Sequence, residues 1–274
     1  MRFKNVVLLL LSCSLMLSAC KSQPKMEEPK WELLQQNAVT FADGNHADLW
    51  AQEGFPSSYK YRLADGTDLL NENIMHGPDR VYVVGQESLD DLGEEAQQKI
   101  IEYYQQRGLL YDIENEVKRA YDEYLRCKKE NLDFSPFMAA QSVSPTASND
   151  NIMCFLTSVM LSIDSRIGQE LRYGDIFDRK TGERIDELSI FSISEVELKE
   201  RFGELFGIKD RALAAEMTAA LKSEYITVFP GSVSIDFPQG VLPSQQYSYI
   251  VSAEFTELGD AVNSWAIIED NRKY

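Results

Sequence analysis

Met153-Cys154-Phe155-Leu156-Thr157-Ser158-Val159-Met160-Leu161-Ser162-Ile163 is the run on which the fold turns. It is rich in strand-forming residues and apolar enough for a strand at the centre of a sheet. Residues 137–143, just before it, have the same character, and the polar cluster 145–151 between the two reads as a turn. Downstream, Lys180-Thr181-Gly182-Glu183 reads as a tight turn inside residues 178–185. Further strands are expected at 226–229, 232–237 and 247–255, the last leading into a short helix from Thr256 towards Trp265. Upstream, Tyr59-Lys60-Tyr61-Arg62-Leu63 alternates and meets Asp65-Gly66 before Asp68-Leu69-Leu70, the signature of a hairpin. Val81-Tyr82-Val83-Val84 adds a short apolar strand.

Between these runs the periodicity is helical. Ser88 with Asp91 forms a capping pattern, followed by Leu92, Ala96, Ile100 and Tyr103 at helical spacing, with Gly108 as the stop. Asp112 can cap a second helix, whose stripe is Ile113, Val117, Ala120, Tyr121, Tyr124 and Leu125, with Cys127 near its end. Ser194 with Glu197 opens a third, carrying Leu198, Phe202 and Leu205 and stopping at Gly207; Leu213, Met217, Ala220 and Leu221 mark a fourth. Helices and antiparallel strands in separate runs predict an α+β fold, a mainly antiparallel sheet packed by three or four helices.

The first twenty residues have a separate purpose. Arg2 and Lys4 give a cationic start, residues 6–17 are almost wholly apolar, and Leu17-Ser18-Ala19-Cys20 follows. About a dozen apolar residues are too few for a spanning helix, which needs roughly 20. The pattern resembles a bacterial lipoprotein signal with its lipobox. That resemblance implies a diacylglycerol on Cys20, which becomes the first mature residue and anchors the protein on the extracytoplasmic side of the cell membrane, or of an outer membrane where the organism has one. Residues 1–19 are then a signal peptide and 20–30, with Pro24 and Pro29, a flexible tether. Residues 31–85 form an N-terminal region with the hairpin, and 86–274 the remaining α+β domain.

Acidic residues number 44 against 27 basic, a formal net charge of −17 that falls to near −19 without Arg2 and Lys4. This surface argues against nucleic acid, whose phosphates require clustered Lys and Arg, and against docking on anionic headgroups. It favours a cationic partner, which opposite fields steer into contact; an acidic surface kept only for solubility is the alternative. Of the four cysteines, Cys13 leaves with the signal and Cys20 carries the lipid. Cys127 and Cys154 are a candidate disulfide, closing a loop of about 28 residues that the chain-entropy model values at roughly 3–4 kcal/mol; two buried free thiols are the alternative.

No catalytic pattern is visible. His46 and His76 lack the spacing of a zinc site, Gly-x-Ser-x-Gly is absent, and Ala47 and Asp48 stand where a calcium loop starting at Asp43 needs an oxygen ligand and a glycine. Glu170, Asp175 and Asp178 are carboxylates whose proximity chance explains in so acidic a chain. No cofactor is expected. Tyr247 and Tyr249, two apart on one expected strand face, are the candidate binding residues among 13 tyrosines.

The segment Asp175-Ile176-Phe177-Asp178-Arg179-Lys180-Thr181-Gly182-Glu183-Arg184-Ile185, then Leu188 and Phe191, resembles the Lys-Thr-Gly segment of the domain called DUF3298, which also occurs in RsiV-type anti-sigma factors. The order that follows is similar too: Ile226-Thr227-Val228-Phe229, a turn at Gly231, Ser232 to Phe237, and a last strand into Phe255-Thr256-Glu257-Leu258. Residues 86–163 are in the place of the preceding DUF4163 half. Members often carry Gly-Gly-Ala-His where Ile167-Gly168-Gln169-Glu170 stands here, and a glycine where this chain has Gln245-Gln246-Tyr247. Known examples bind lysozyme or accompany a peptidoglycan deacetylase domain. The resemblance therefore implies a non-enzymatic, lipid-anchored binding protein of the envelope, with a cationic lysozyme-like protein or a cell-wall component as ligand; an envelope enzyme or accessory factor acting on peptidoglycan is the alternative.

Overall fold

Eight strands follow one another across a single sheet in unbroken chain order. They are β1 (Trp31–Thr40), β2 (His46–Gln52), β3 (Phe55–Leu63), β4 (Asp68–Ile74), β5 (Phe137–Ser148), β6 (Ile152–Ser162), β7 (Gly168–Asp178) and β8 (Arg184–Ile185). The structure, a computed structural model, describes residues 29–74 and 89–270. Every neighbouring pair is antiparallel except β4 and β5. Parallel neighbours need a long crossover, and this one carries α1 (Glu94–Arg107) and α2 (Ile113–Glu130). After β8 come α3 (Glu195–Leu205) and α4 (Arg211–Ala220), then β9 (Ile226–Phe229), β10 (Ser232–Phe237), β11 (Tyr249–Glu254) and the one-turn α5 (Phe255–Leu258). The last three strands form a second antiparallel sheet in the order β11-β10-β9. The fold is α+β, and the largest sheet is mainly antiparallel.

Strand alternation gives the large sheet two faces with different fates. On β6, Phe155, Val159 and Leu161 point to one face and pack with Ile100 and Tyr104 of α1 and Val117 and Tyr121 of α2. Ile152 and Cys154 point to the other and pack under Phe202, Val228, Ile235 and Phe237 of the C-terminal part. The strand is therefore apolar on both sides where it starts, which is why its sequence reads as central. Further along that second face the cover ends, and Met160 is exposed.

Local signals explain most element boundaries. The Asp112 carboxylate accepts from the Asn115 N–H at 3.2 Å, and the Ser194 hydroxyl from the Glu197 N–H at 3.2 Å. Asp178 accepts from the N–H groups of Lys180 and Thr181 at 2.9 and 2.8 Å, tightening the Lys-Thr-Gly turn. Gly182 there has φ +70°, and a Cβ on it would lie 2.4 Å from the Ala96 carbonyl oxygen, so the turn packs directly on α1.

Two expectations need correction. Residues 145–151 are not all turn: β5 runs on to Ser148 through a bulge between Pro145 and Ala147, because Ala147 turns inward to the C-terminal core. The first helix starts at Glu94 with Gly93 as N-cap, not near Ser88, since residues 89–92 form a turn. The boundary expected at 85/86 lies outside the described residues; on either side of it β4 hydrogen-bonds β5, and Leu49 and Tyr61 share one core with Val117 and Phe137. The strand expected at 81–84 lies outside the described residues, as do the signal, the lipobox and most of the tether. No helix among the described residues is long and apolar enough to cross a membrane.

Candidate functional site

Two assemblies of polar side chains stand out, one buried and internally paired, the other on an uncovered sheet face. The first centres on Asp175 of β7, fully buried on the α1 side of the sheet. Its carboxylate accepts from the Tyr103 hydroxyl at 2.7 Å, the Tyr104 hydroxyl at 3.1 Å and Arg107 Nη1 at 2.5 Å, all from the last turns of α1. Arg184 Nε approaches at 3.4 Å, while the Arg184 Nη2 donates to both oxygens of Glu187 at 2.7 and 2.9 Å. Glu187 also accepts from the Ser223 hydroxyl at 2.6 Å. Burial, reinforced by the Asp175 charge, pushes both phenols up, so they remain donors. Burial likewise pushes the Glu187 carboxyl up, against the pull of Ser223 and Arg184. Each buried charge here already faces an opposite one. The cluster ties α1 to β7, β8 and the short 3₁₀ turns at 187–190 and 223–225.

The second assembly is the uncovered part of the other sheet face. Register lines up Trp50, Lys60, Asn71 and Met138 across β2 to β5, and Met160 with Glu170 across β6 and β7, Met160 standing opposite Ala140, two residues on from Met138. Arg62 and Lys60 both donate to Asp68, at 2.5 and 2.7 Å. Burial pushes the Asp68 carboxyl up, but these two donors outweigh it and hold the group below its ordinary range. Lys60 Nζ lies 4.4 Å over the Trp31 ring and Arg62 5.4 Å from the Trp50 ring centre. At the far end Arg172 donates to Asp236 of β10 at 3.0 Å. Met138 and Met160 are 43% and 42% exposed. Trp50 Nε1, Asn71 Oδ1 and Arg172 Nε are buried without a hydrogen-bond partner among the described residues, and all three belong to this face. Flexible exposed methionines among fixed charges and amides suit contact with another protein.

The anticipated site residues are scattered. Cys20 lies outside the described residues. Cys127 and Cys154 are not bridged; both are free and buried. Cys127 sits on α2, with its sulfur 3.9 Å from the Ser165 hydroxyl just past the end of β6, whereas Cys154 lies near the start of that strand and faces the opposite side. Eight residues of strand span about 26 Å, and a disulfide needs Cα atoms within about 7 Å. Burial also pushes the Cys154 thiol up, which leaves it unreactive. Tyr247 and Tyr249 do not share a strand face. Tyr247 precedes β11 and is 62% exposed, while Tyr249 opens the strand and packs against the C-terminal core. His46 lies 3.9 Å from Asp48, and His76 is outside the described residues. Asp43 and Asn45 form a hydrogen-bonded turn between β1 and β2. Among the described residues no three His, Cys, Asp or Glu side chains converge as a metal site.

Comparison with solved structures finds a DUF3298 family protein from Pseudomonas aeruginosa PAO1, 12% identical, covering 89% of this chain and 99% of its own, with a TM-score of 0.37. A member of the same family from Bacteroides fragilis NCTC 9343 is 8% identical, covering 86% of this chain and 94% of its own, with a TM-score of 0.40. No residue role passes from either protein to this chain. No protein-family model and no curated protein sequence matches it.

Proposed function

We propose that this chain is a lipid-anchored binding protein on the extracytoplasmic side of the cell membrane, and that its ligand is a cationic protein, with lysozyme the first to test. The observation that carries the reading is the uncovered sheet face, where exposed Met138 and Met160 lie among fixed charges and buried polar atoms that have no partner among the described residues. A net charge of −17 supports the sign of the partner. The Lys-Thr-Gly segment and its flanks, which resemble a family with lysozyme-binding members, support the choice of lysozyme. Long-range attraction then raises the association rate at low salt, where the Debye length is about 30 Å, and fades near 8 Å at physiological salt.

Titration calorimetry of the detergent-solubilised full-length protein with lysozyme tests the ligand. Saturable binding in the micromolar range, weakened by added salt, is expected. Absence of heat up to tens of micromolar at low salt removes lysozyme as the ligand, and binding indifferent to salt removes the electrostatic argument.

The anchor has its own test. Two acyl chains, at about 0.8 kcal/mol per buried CH₂, hold a protein on a membrane almost permanently. Cys20→Ser is expected to release the protein to the medium or to leave its precursor uncleaved. A mutant that is cleaved and still sediments with membranes refutes the lipobox reading.

A further inference from the structure

Phe41, just after β1, and Tyr121 of α2 stack face to face with ring centres 3.8 Å apart and planes 11° from parallel. The pair forms the floor of a cleft of about 570 Å³ between the β1–β2 turn and α2, on the opposite side of the sheet from the open face. Its volume falls within the roughly 300–1,000 Å³ of small-ligand sites. Leu125, one helical turn beyond Tyr121, extends the apolar wall and is 41% exposed. Asp43, Lys118 and Asp122 stand at the rim.

The rim charges are not equivalent. Lys118 is engaged by Glu114 at 2.5 Å. Asp43 is fixed in place: its carboxylate accepts from the Tyr121 hydroxyl at 2.8 Å and from the Asn45 side-chain amide at 2.9 Å. Those bonds, the tyrosine's first, hold its carboxyl below the ordinary range, so it stays ionised. Asp122 is exposed and makes no hydrogen bond or ion pair among the described residues. The cleft therefore offers an aromatic and aliphatic floor under two carboxylates, one fixed and one uncommitted, with the neighbouring cation occupied elsewhere.

We propose that this cleft is a socket for one basic side chain, arginine or lysine, of the partner protein, with the aliphatic stem on Phe41 and Leu125 and the charged head against Asp43 and Asp122. Such side chains lay their methylenes on apolar surface while the head seeks a carboxylate. A guanidinium can also lie flat on an aromatic ring. A purely apolar occupant would strip water from two carboxylates without replacing it. Calcium needs six or more oxygens, and this rim supplies too few. The inference rests on the reading of a cationic protein ligand, but not on the open sheet face as its docking surface, and it does not need that protein to be lysozyme.

The test uses N-acetyl-arginine amide, its uncharged counterpart N-acetyl-citrulline amide and the apolar N-acetyl-norleucine amide, followed by methyl and aromatic NMR of the full chain. Saturable shifts at Leu125 and Tyr121 are expected with the arginine compound, at least about tenfold weaker for the other two and for Asp122→Asn. Asp122 is exposed and makes no hydrogen bond or ion pair among the described residues, so its replacement leaves the fold intact. Equal shifts from citrulline or norleucine, shifts spread over the acidic surface, or an Asp122→Asn protein that responds normally each overturn the socket. Lysozyme calorimetry on the same protein keeps the two readings apart. An inert lysozyme with a seated arginine compound removes only the lysozyme assignment, and bound lysozyme with no response to the arginine compound removes only the socket.

Discussion

Gly174→Ala is expected to cost at least about 3 kcal/mol of stability, or to prevent folding of the C-terminal half altogether. Gly174 lies on β7 opposite Leu156 of β6, on the face where β9 crosses the large sheet. A Cβ built there would fall 1.8 Å from the Ile226 carbonyl oxygen, 2.7 Å from its carbon and 3.1 Å from the Thr227 Cα. All three are backbone atoms of a strand fixed by its own ladder to β10. No rotamer change relieves such an overlap; the small sheet must move away, carrying Ile226 and Val228 out of the core. Gly168→Ala is the matched control. It sits on the same strand, its added Cβ would meet only the Leu161 carbonyl oxygen at an ordinary 3.6 Å, and its cost should stay within about 1 kcal/mol. Urea unfolding of both variants, followed by intrinsic fluorescence, gives the comparison. Equal midpoints would show that β9 does not approach β7 this closely.

How much of this was legible depends on whether a segment's partners lie near it in the chain. The hairpin of β3 and β4 was readable because alternation and Asp65-Gly66 are local, and β6 because it is apolar on both faces for half its length. The edge strand β1 hid itself: residues 32–37 are all exposed, so no alternation reveals it. β7 was obscured by Glu170, Arg172 and Asp175. Their partners are Ser158, Asp236 and the α1 cluster, each on another element. The parallel pairing of β4 with β5 spans the whole two-helix crossover and leaves no local trace.

The same distinction holds for the candidate sites. Asp175 was visible only as one acidic residue among 44, and chance clustering was the sound expectation. Its partners on α1 lie about 70 positions away, at 68, 71 and 72. Tyr121 was correctly placed on the inward stripe of its helix, but nothing local announces that Phe41 stacks on it. The open sheet face is a property of what fails to cover it, which no stretch of sequence records. Glycine was the one local clue left unused, since Gly174 sits in a strand without a positive φ, and a close backbone approach is the usual reason for that.

Asp175→Asn should cost about 3–5 kcal/mol, because it leaves a buried cation without its counter-charge. The amide keeps the shape of the carboxylate, so packing is conserved and the effect is one of charge. The Arg107 side chain is only 16% exposed, and Asp175 is its one carboxylate partner among the described residues. Arg184 suffers less, since its contacts with Glu187 remain. This asymmetry makes a specific demand on a double-mutant cycle. Arg107→Met removes the stranded cation, so the double variant should be less destabilised than the sum of the two single ones, with a coupling above about 1 kcal/mol. An exposed pair sets the baseline: Arg126 and Glu130 lie 2.9 Å apart but are half exposed, and Glu130→Gln should cost no more than about 0.5 kcal/mol. Strict additivity between Arg107→Met and Asp175→Asn would mean that solvent screens the pair, and that α1 is held to the sheet by Ile100, Tyr104 and Phe177 rather than by charge.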